Sequence, residues 1–249
     1  MIKTIILHHL LDMNDLPAAE RWFYRYHVPE VLRNRPVSYV SFRAVPPPPG
    51  AEGYGYFNYK VHEHVSAGET GKPSGLAAMT REVVPLRVIM VNVPAAPTED
   101  FKGREVSFDE KTILRWVIVF RYPEGVSLEE GDDWYLNVHA EEVAQQPGLT
   151  RFFSYRVLPP RAGLQGGVRA FLHPRSSMSA DWHRVSEQWY ENGNGWVDSV
   201  IASPPEYTKP PWAKYDKYPF LEPGVDFAST FILERPSDDW LRQVSPFYI

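Results

Sequence analysis

Apolar residues follow two rhythms along this chain. In "IKTIILHHLL", "VSYVSFRAV" and "LRVIMVNV" they crowd into short β-branched and aromatic runs, the composition of strands. Between the first two runs they step by three or four instead. Leu16, Glu20, Phe23, His27 and Val31 fall on one stripe, the period of a helix, with Asp15 as its N-cap and Pro17 near its first turn. The same succession returns later. "LRWVIVFRY" reads as a strand. Ser127 caps a helix whose stripe is Leu128, Tyr135, His139 and Val143, and "PGL" turns the chain into the strand "TRFFSYRVL".

The two passages are copies. "ERWFYRYHVPEV" and "DDWYLNVHAEEV" align at one constant spacing, pairing Trp22 with Trp134, Phe23 with Tyr135, His27 with His139 and Glu30 with Glu142. Further on, "KVHEHV" aligns with "RVSEQW" as a third strand. The helices "SGLAAMTREV" and "GNGWVDSVIA" follow, then the strands "LRVIMVNV" and "ASTFILER". Each half therefore reads β-α-β-β-α-β, which predicts an α+β, ferredoxin-like unit with a four-stranded antiparallel sheet and both helices on one face. Two such sheets can bury their bare faces against each other, forming a barrel-like core inside one chain. The expected units are residues 1–100 and 112–249, joined by a polar, turn-rich segment near 95–112. A proline- and aromatic-rich insertion, about residues 203–226, precedes the last strand of the second unit.

Composition narrows the function. Of 249 residues, 43% are hydrophobic and 23% charged, so the chain can build a large core. A net charge of -5 without a basic cluster argues against nucleic acid. The absence of cysteine excludes disulfides, thiol nucleophiles and cysteine-ligated metals. Lys3, His8 and His9 interrupt the apolar N-terminus, and no run has the length of a membrane span. A cytoplasmic protein that does not engage membranes is expected. No Gly-rich phosphate loop, Gly-x-Ser-x-Gly elbow or His-Glu-x-x-His pair is present. The tracts "VPPPPGAEGYGYF" and "SPPEYTKPPWAKYDKYPFLEPG" cannot be regular helix or central strand. They are stiff surface loops or walls that lay flat rings over an apolar ligand.

Histidine and tyrosine are the candidate chemistry. His27 and His139 lie in the apolar stripes of their helices, either as hydrogen-bonded core groups or as the polar members of a pocket. His8 on the first strand, with His62 and His64 on one face of the third, enriches the first half. The second half has Phe120, Ser186 and Gln188 at those places. The principal pocket is therefore expected near His27, with a histidine poised near neutral pH for proton transfer. His-x-His plus His8 is a metal-binding spacing, but Glu63 points the other way, and no metal is expected. Tyr24, Tyr26, Tyr54, Tyr56 and Tyr59 are candidates to polarise a carbonyl or phenol, Tyr26 foremost among them. Trp22, Phe23, Tyr59, Trp134 and Tyr135 are the candidate substrate-binding rings.

Trp-x4-His, a following acidic residue and then Pro-Gly-Leu before a strand, as in "DDWYLNVHAEEVAQQPGLTRFFSYRV", resembles the EthD-like branch of the dimeric α+β barrel superfamily. "ERWFYRYHVPEVLRNRPVSYVSFRAV" is a looser match, with Pro36 at the expected glycine. The resemblance covers most of the chain outside the insertions. It implies a barrel that usually needs two chains, here made by two halves of one, with a pocket between helices and sheet in each half. It also implies activities ranging over cofactor-free cyclases, decarboxylases, isomerases and monooxygenases, with heme-degrading enzymes among them. The leading expectation is a cofactor-independent lyase, isomerase or cyclase acting on a small aromatic or polyketide-like molecule, including steps that cleave a C–C bond by decarboxylation or aldehyde release. The alternatives are a heme-linked or cofactor-free monooxygenase and a non-catalytic protein that binds aromatic ligands. Self-association into a homodimer through the outer faces stays open.

Overall fold

The computed structural model describes residues 1–67, 86–103, 114–159 and 181–242. Its elements run β1 (Ile2–Leu10), α1 (Leu16–Trp22), a π turn (Phe23–His27), α2 (Val28–Arg33), β2 (Ser38–Arg43), β3 (Lys60–Ser66), β4 (Leu86–Pro94) and β5 (Glu99–Asp100). The second run is β6 (Leu114–Phe120), α3 (Leu128–Trp134), a π turn (Tyr135–His139), α4 (Ala140–Ala144), β7 (Leu149–Arg156) and β8 (Arg184–Tyr190). It closes with α5 (Gly193–Val197), a π turn (Asp198–Ala202), β9 (Phe227–Leu233) and β10 (Asp238–Asp239). The expected helix "SGLAAMTREV" lies outside the described residues. Ser127 caps α3 through its hydroxyl, which accepts from the Glu130 N–H. Asp15 makes no such bond; Asp12 caps the preceding 3-10 turn instead. Leu128, expected on the buried stripe, is exposed.

The fold is α+β and barrel-like, with two antiparallel five-stranded sheets ordered β10-β2-β3-β1-β4 and β5-β7-β8-β6-β9. The four long strands of each half keep the same order. The two short strands are exchanged: β5, in the expected linker, edges the second sheet against β7, and β10 edges the first against β2. The join is thus partly a strand rather than only a polar turn.

Central strands bury both faces, which is why they read as near-continuous apolar runs. Ile5, Leu7, Val61, Val91 and Val93 meet Val117, Val119, Val185 and Ile232 between the sheets. Each such side chain is worth roughly 1.5–3 kcal/mol of burial. The opposite faces carry the helices. Leu10, Trp22, Phe23 and Val31 form one helix–sheet core, and Trp116, Phe152, Trp196 and Phe231 anchor the other. Backbone bonds from Val45 N–H to Phe231 O (2.8 Å) and Leu158 N–H to Asn92 O (2.7 Å) tie sheet edges together. The loop after β2 crosses to the second half, where Tyr54 packs on Trp116 and Trp196 and Tyr56 faces Phe231. Those two tyrosines, expected near the first-half histidines, belong to the other half's core.

Four charges sit inside the inter-sheet layer. Lys3 and Glu63 of the first half meet Arg115 and Glu187 of the second. Lys3 Nζ lies 3.2 Å from Glu187 Oε1 and 3.8 Å from Glu63 Oε2; Arg115 contacts Glu187 at 2.7 Å and also Glu63. Lys3 and Arg115 occupy matching strand positions, as do Glu63 and Glu187, so the quartet is pseudo-symmetric. Burial alone would lower the Lys3 pKa, but Glu187 and then Glu63 hold it above its ordinary value. Burial likewise opposes the charge on Glu187, and Arg115 with Lys3 keeps it ionised. Among the described residues, no helix is long and apolar enough to cross a membrane.

Candidate functional site

Tryptophan and histidine five residues apart do not share a face of an α-helix. Five steps of about 100° leave them about 140° apart. The π turn changes this. In each half a backbone bond spans five residues, from Val28 N–H to Phe23 O and from Ala140 N–H to Tyr135 O. The wider turn swings the histidine back over the indole. Trp22 and His27 stack at 5.0 Å and 28°, and Trp134 and His139 lie at 4.6 Å and 32°. Hydrophobic periodicity carries no signature of this one-residue expansion, so the sequence displays the spacing without its cause.

The first-half histidines converge as expected. His27 Nε2 lies 3.0 Å from His62 Nδ1, with the two rings 4.5 Å apart and nearly parallel. One nitrogen donates and the other accepts, which couples the tautomers of the pair. His8 meets His62 edge-on at 5.1 Å, and Trp22 and Phe23 complete the surround. His64 sits one step along β3 against Tyr39, 6.1 Å from His62. Tyr59 lies 6.3 Å from His8. Tyr26 is half-buried at the edge of this core, without a described ring contact or hydrogen bond to the histidines. Lys60 is buried over Phe23 and Tyr24 and ion-paired to Glu20 at 2.9 Å.

No histidine in this group is poised near neutral pH. Burial pushes His8 down to about 3, helped by the Lys60 charge, and pushes His64 down to about 4. His27 and His62 are driven well below the ordinary imidazole range by burial first and then by neighbouring groups. The expectation of a near-neutral histidine is corrected here, because the apolar enclosure that recruits the imidazoles also keeps them uncharged. Among the described residues, no three His, Asp or Glu side chains are grouped to hold a metal ion.

The second half is built differently around the same histidine. Ser186 and Gln188 stand where the first half has His62 and His64, and the space left by the missing imidazoles is a cavity of about 20 Å³. Its walls include Phe120, Trp134, Tyr135 and Leu221. His139, Ser186, Gln188 and Tyr218 bring polar atoms, and no charged side chain lines it. Burial pushes His139 down to about 3, and its Nδ1 has no hydrogen-bond partner. Where His62 covers His27, Tyr218 from the insertion covers His139 at 5.5 Å and 23°, and Tyr207 stacks on Tyr218 at 4.2 Å. The insertion is anchored by Trp134 Nε1, which donates to Thr208 O, and by the Glu142 carboxylate, which accepts from the Thr208 N–H and hydroxyl. A polar end adjoins it: Tyr190, Gln188, Gln146 and Tyr207 are linked by hydrogen bonds of 2.6–2.7 Å. Gln146, Tyr190, Tyr207 and Tyr218 were not singled out in the sequence. The insertion's aromatic content pointed toward Tyr207 and Tyr218, and no signal pointed toward Gln146 or Tyr190.

The fold and cavity define an α+β barrel-like protein with a neutral histidine in an aromatic chamber. Residues 1–93 match the family described as chalcone isomerase N-terminal domain, a match that spans less than half of the chain. The chain is similar in structure to one described as an anthrone oxidase-like protein, with TM-score 0.51 and 11% identity, covering 98% of this chain and 95% of that one. A structure from Fusobacterium nucleatum, provisionally named a monooxygenase, gives TM-score 0.35 and 7% identity over 79% of each chain, too weak a likeness to define a fold. Among curated proteins, nothing matches the chain.

Proposed function

We propose that this chain is a cofactor-independent acid–base enzyme for a small aromatic or polyketide-like molecule, catalysing a lyase, isomerase or cyclase step at the His139 cavity. One observation carries the reading: an imidazole kept neutral, with a free ring nitrogen, beside an uncharged chamber of aromatic rings. A neutral imidazole can polarise a carbonyl or phenol as a hydrogen-bond donor. With its pKa pushed down to about 3 by burial, it is a weak base. It gains basicity only as negative charge develops on the substrate beside it, since an adjacent opposite charge favours the imidazolium. Isomerisation and ring closure move a proton from one substrate atom to another, so a single group that takes and returns it balances the reaction. The isomerase name of the family matched by residues 1–93 agrees with that class of reaction, and the match does not extend to the His139 cavity.

The two halves, residues 1–100 and 112–249, are read as duplicated, EthD-like ferredoxin units that supply within one chain the barrel that related proteins build by dimerising. Equal strand order, paired π turns and the pseudo-symmetric charge quartet support this. The oxidase-like name of the structural neighbour favours a second reading, a cofactor-free monooxygenase using the same chamber. One assay separates them. In deuterated water, phenolic and polyketide-type ketones are incubated with the protein while C–H exchange is followed by mass spectrometry and oxygen by electrode. Exchange without oxygen uptake, lost in His139→Gln, is expected. Oxygen uptake would select the second reading, and neither signal with any compound would remove both.

A further inference from the structure

We propose that the slot between His139 and β8 is a binding site for a neutral, planar phenol, which Tyr218 occupies in the closed form as a built-in stand-in. The inference rests on the His139 chamber proposed above and names the class of ligand it takes.

The contrast between the halves carries the argument. Over His27 the covering ring comes from the sheet itself, as His62 on a central strand. Over His139 the equivalent position of the sheet is Ser186, and the covering ring arrives from a surface insertion as Tyr218. A ring on a central strand is fixed, whereas a ring on a loop can leave. Tyr218 also shows an unfinished fit. Its hydroxyl is buried and interacts with Gln188 and Tyr207, but without the alignment of a full hydrogen bond to either. The chamber thus has a polar end that a phenol tied to the loop reaches only in poor geometry, and a misaligned hydrogen bond is weaker than an aligned one.

Size and charge restrict the occupant. The residual space of about 20 Å³ suits one water molecule, so an aromatic ligand enters only when Tyr218 withdraws. No charged side chain lines the slot, so an anionic carboxylate would be stranded there, while a neutral phenol can stack on His139 and present its hydroxyl to Gln188. The segment bearing Tyr218 carries exposed Lys214, Asp216 and Lys217 between buried Ala213 and the buried pair Phe220 and Leu221, so the movement required is a local one of Tyr218 between these anchors. Tyr218 itself belongs to no strand of either sheet.

The test is calorimetric binding of p-cresol, toluene and benzoate to the full chain, its Tyr218→Ala variant and the double variant Tyr218→Ala/Ser186→Phe. Removing the resident ring abolishes the cost of displacing it, so Tyr218→Ala should bind p-cresol at least about tenfold tighter than wild type. Toluene should bind at least about tenfold weaker than p-cresol, because the polar end is then left unpaired. Benzoate should not bind, and Ser186→Phe should close the slot. Should Tyr218→Ala fail to fold, hydrogen exchange on the wild-type protein decides: saturating p-cresol must speed exchange within residues 203–226. Equal affinity of wild type and Tyr218→Ala, equal affinity for toluene and p-cresol, or binding that survives Ser186→Phe would overturn the proposal, as would unchanged exchange. Phenol binding without turnover would remove the enzymatic reading and keep the slot. Turnover with no gain from Tyr218→Ala would remove the slot and keep the enzyme.

Discussion

The two halves place the same tryptophan–histidine stack on the same π turn and then part company. In the first half the sheet answers with His62, His8 and His64, and the imidazoles seal one another in. In the second the sheet answers with Ser186 and Gln188, and a cavity opens that a loop tyrosine covers. Titratable residues concentrate in one half and accessible space in the other. Counting histidines therefore locates the better-packed copy, whereas the smaller side chains mark the copy that keeps a cavity.

Acid should expose the largest difference. Histidines buried neutral have folded pKa values below 6.5, so the unfolded chain binds more protons between the two values. Their stabilisation is complete above pH 6.5 and is lost as pH falls from there toward about 3–4. Each loses about 1.4 kcal/mol per pH unit in that window. Among the described residues five histidines with depressed values lie in the first half and two in the second, so the decline is dominated by the first half. Thermal melts from pH 8 to 4 should show this decline, and His62→Ser, which copies the second half, should flatten it more than His139→Ser does. Identical pH profiles for the two variants would break the comparison.

Next in size is the central quartet. Glu187→Gln leaves Arg115 and Lys3 to share Glu63, and breaking a buried pair typically costs about 3–5 kcal/mol. Glu63, at 12% side-chain exposure against 3% for Glu187, is better screened. Glu63→Gln should therefore cost less by urea denaturation. The reverse order would show that the pseudo-symmetric positions are not weighted by burial.

A smaller effect concerns the Pro-Gly-Leu turn. A Cβ on Gly148 would meet Gly195 O at 2.5 Å, while one on Gly195 would find nothing nearer than 3.6 Å. Gly148→Ala should cost about 1–3 kcal/mol through backbone displacement. Gly195→Ala should be tolerated, and equal melting temperatures for the two variants would contradict the close approach.

Much of this architecture was legible because duplication doubles every signal. The shared spacing located both helices and both histidines, and strand composition located the long strands. What escaped depends on contacts distant in sequence. Lys3 reads as a polar interruption and Arg115 passes unremarked in its strand, because nothing local says that a strand's second face is buried against another sheet. Tyr54 and Tyr56 read as neighbours of the first-half histidines until the loop's crossing placed them over Trp116 and Phe231. Short exchanged strands such as β5 and β10 have no period to detect.

The central claim, that the ligand-accessible histidine is in the second half, is tested most directly by deuterium exchange into a responsive phenolic ketone with His27→Gln and His139→Gln measured side by side, each checked for an intact melting transition. His139→Gln should lose at least about a hundredfold in rate, the usual worth of an acid–base group, while His27→Gln stays within a few-fold of wild type. A hundredfold loss in His27→Gln with His139→Gln unaffected would place the chemistry in the histidine-rich half and contradict the account.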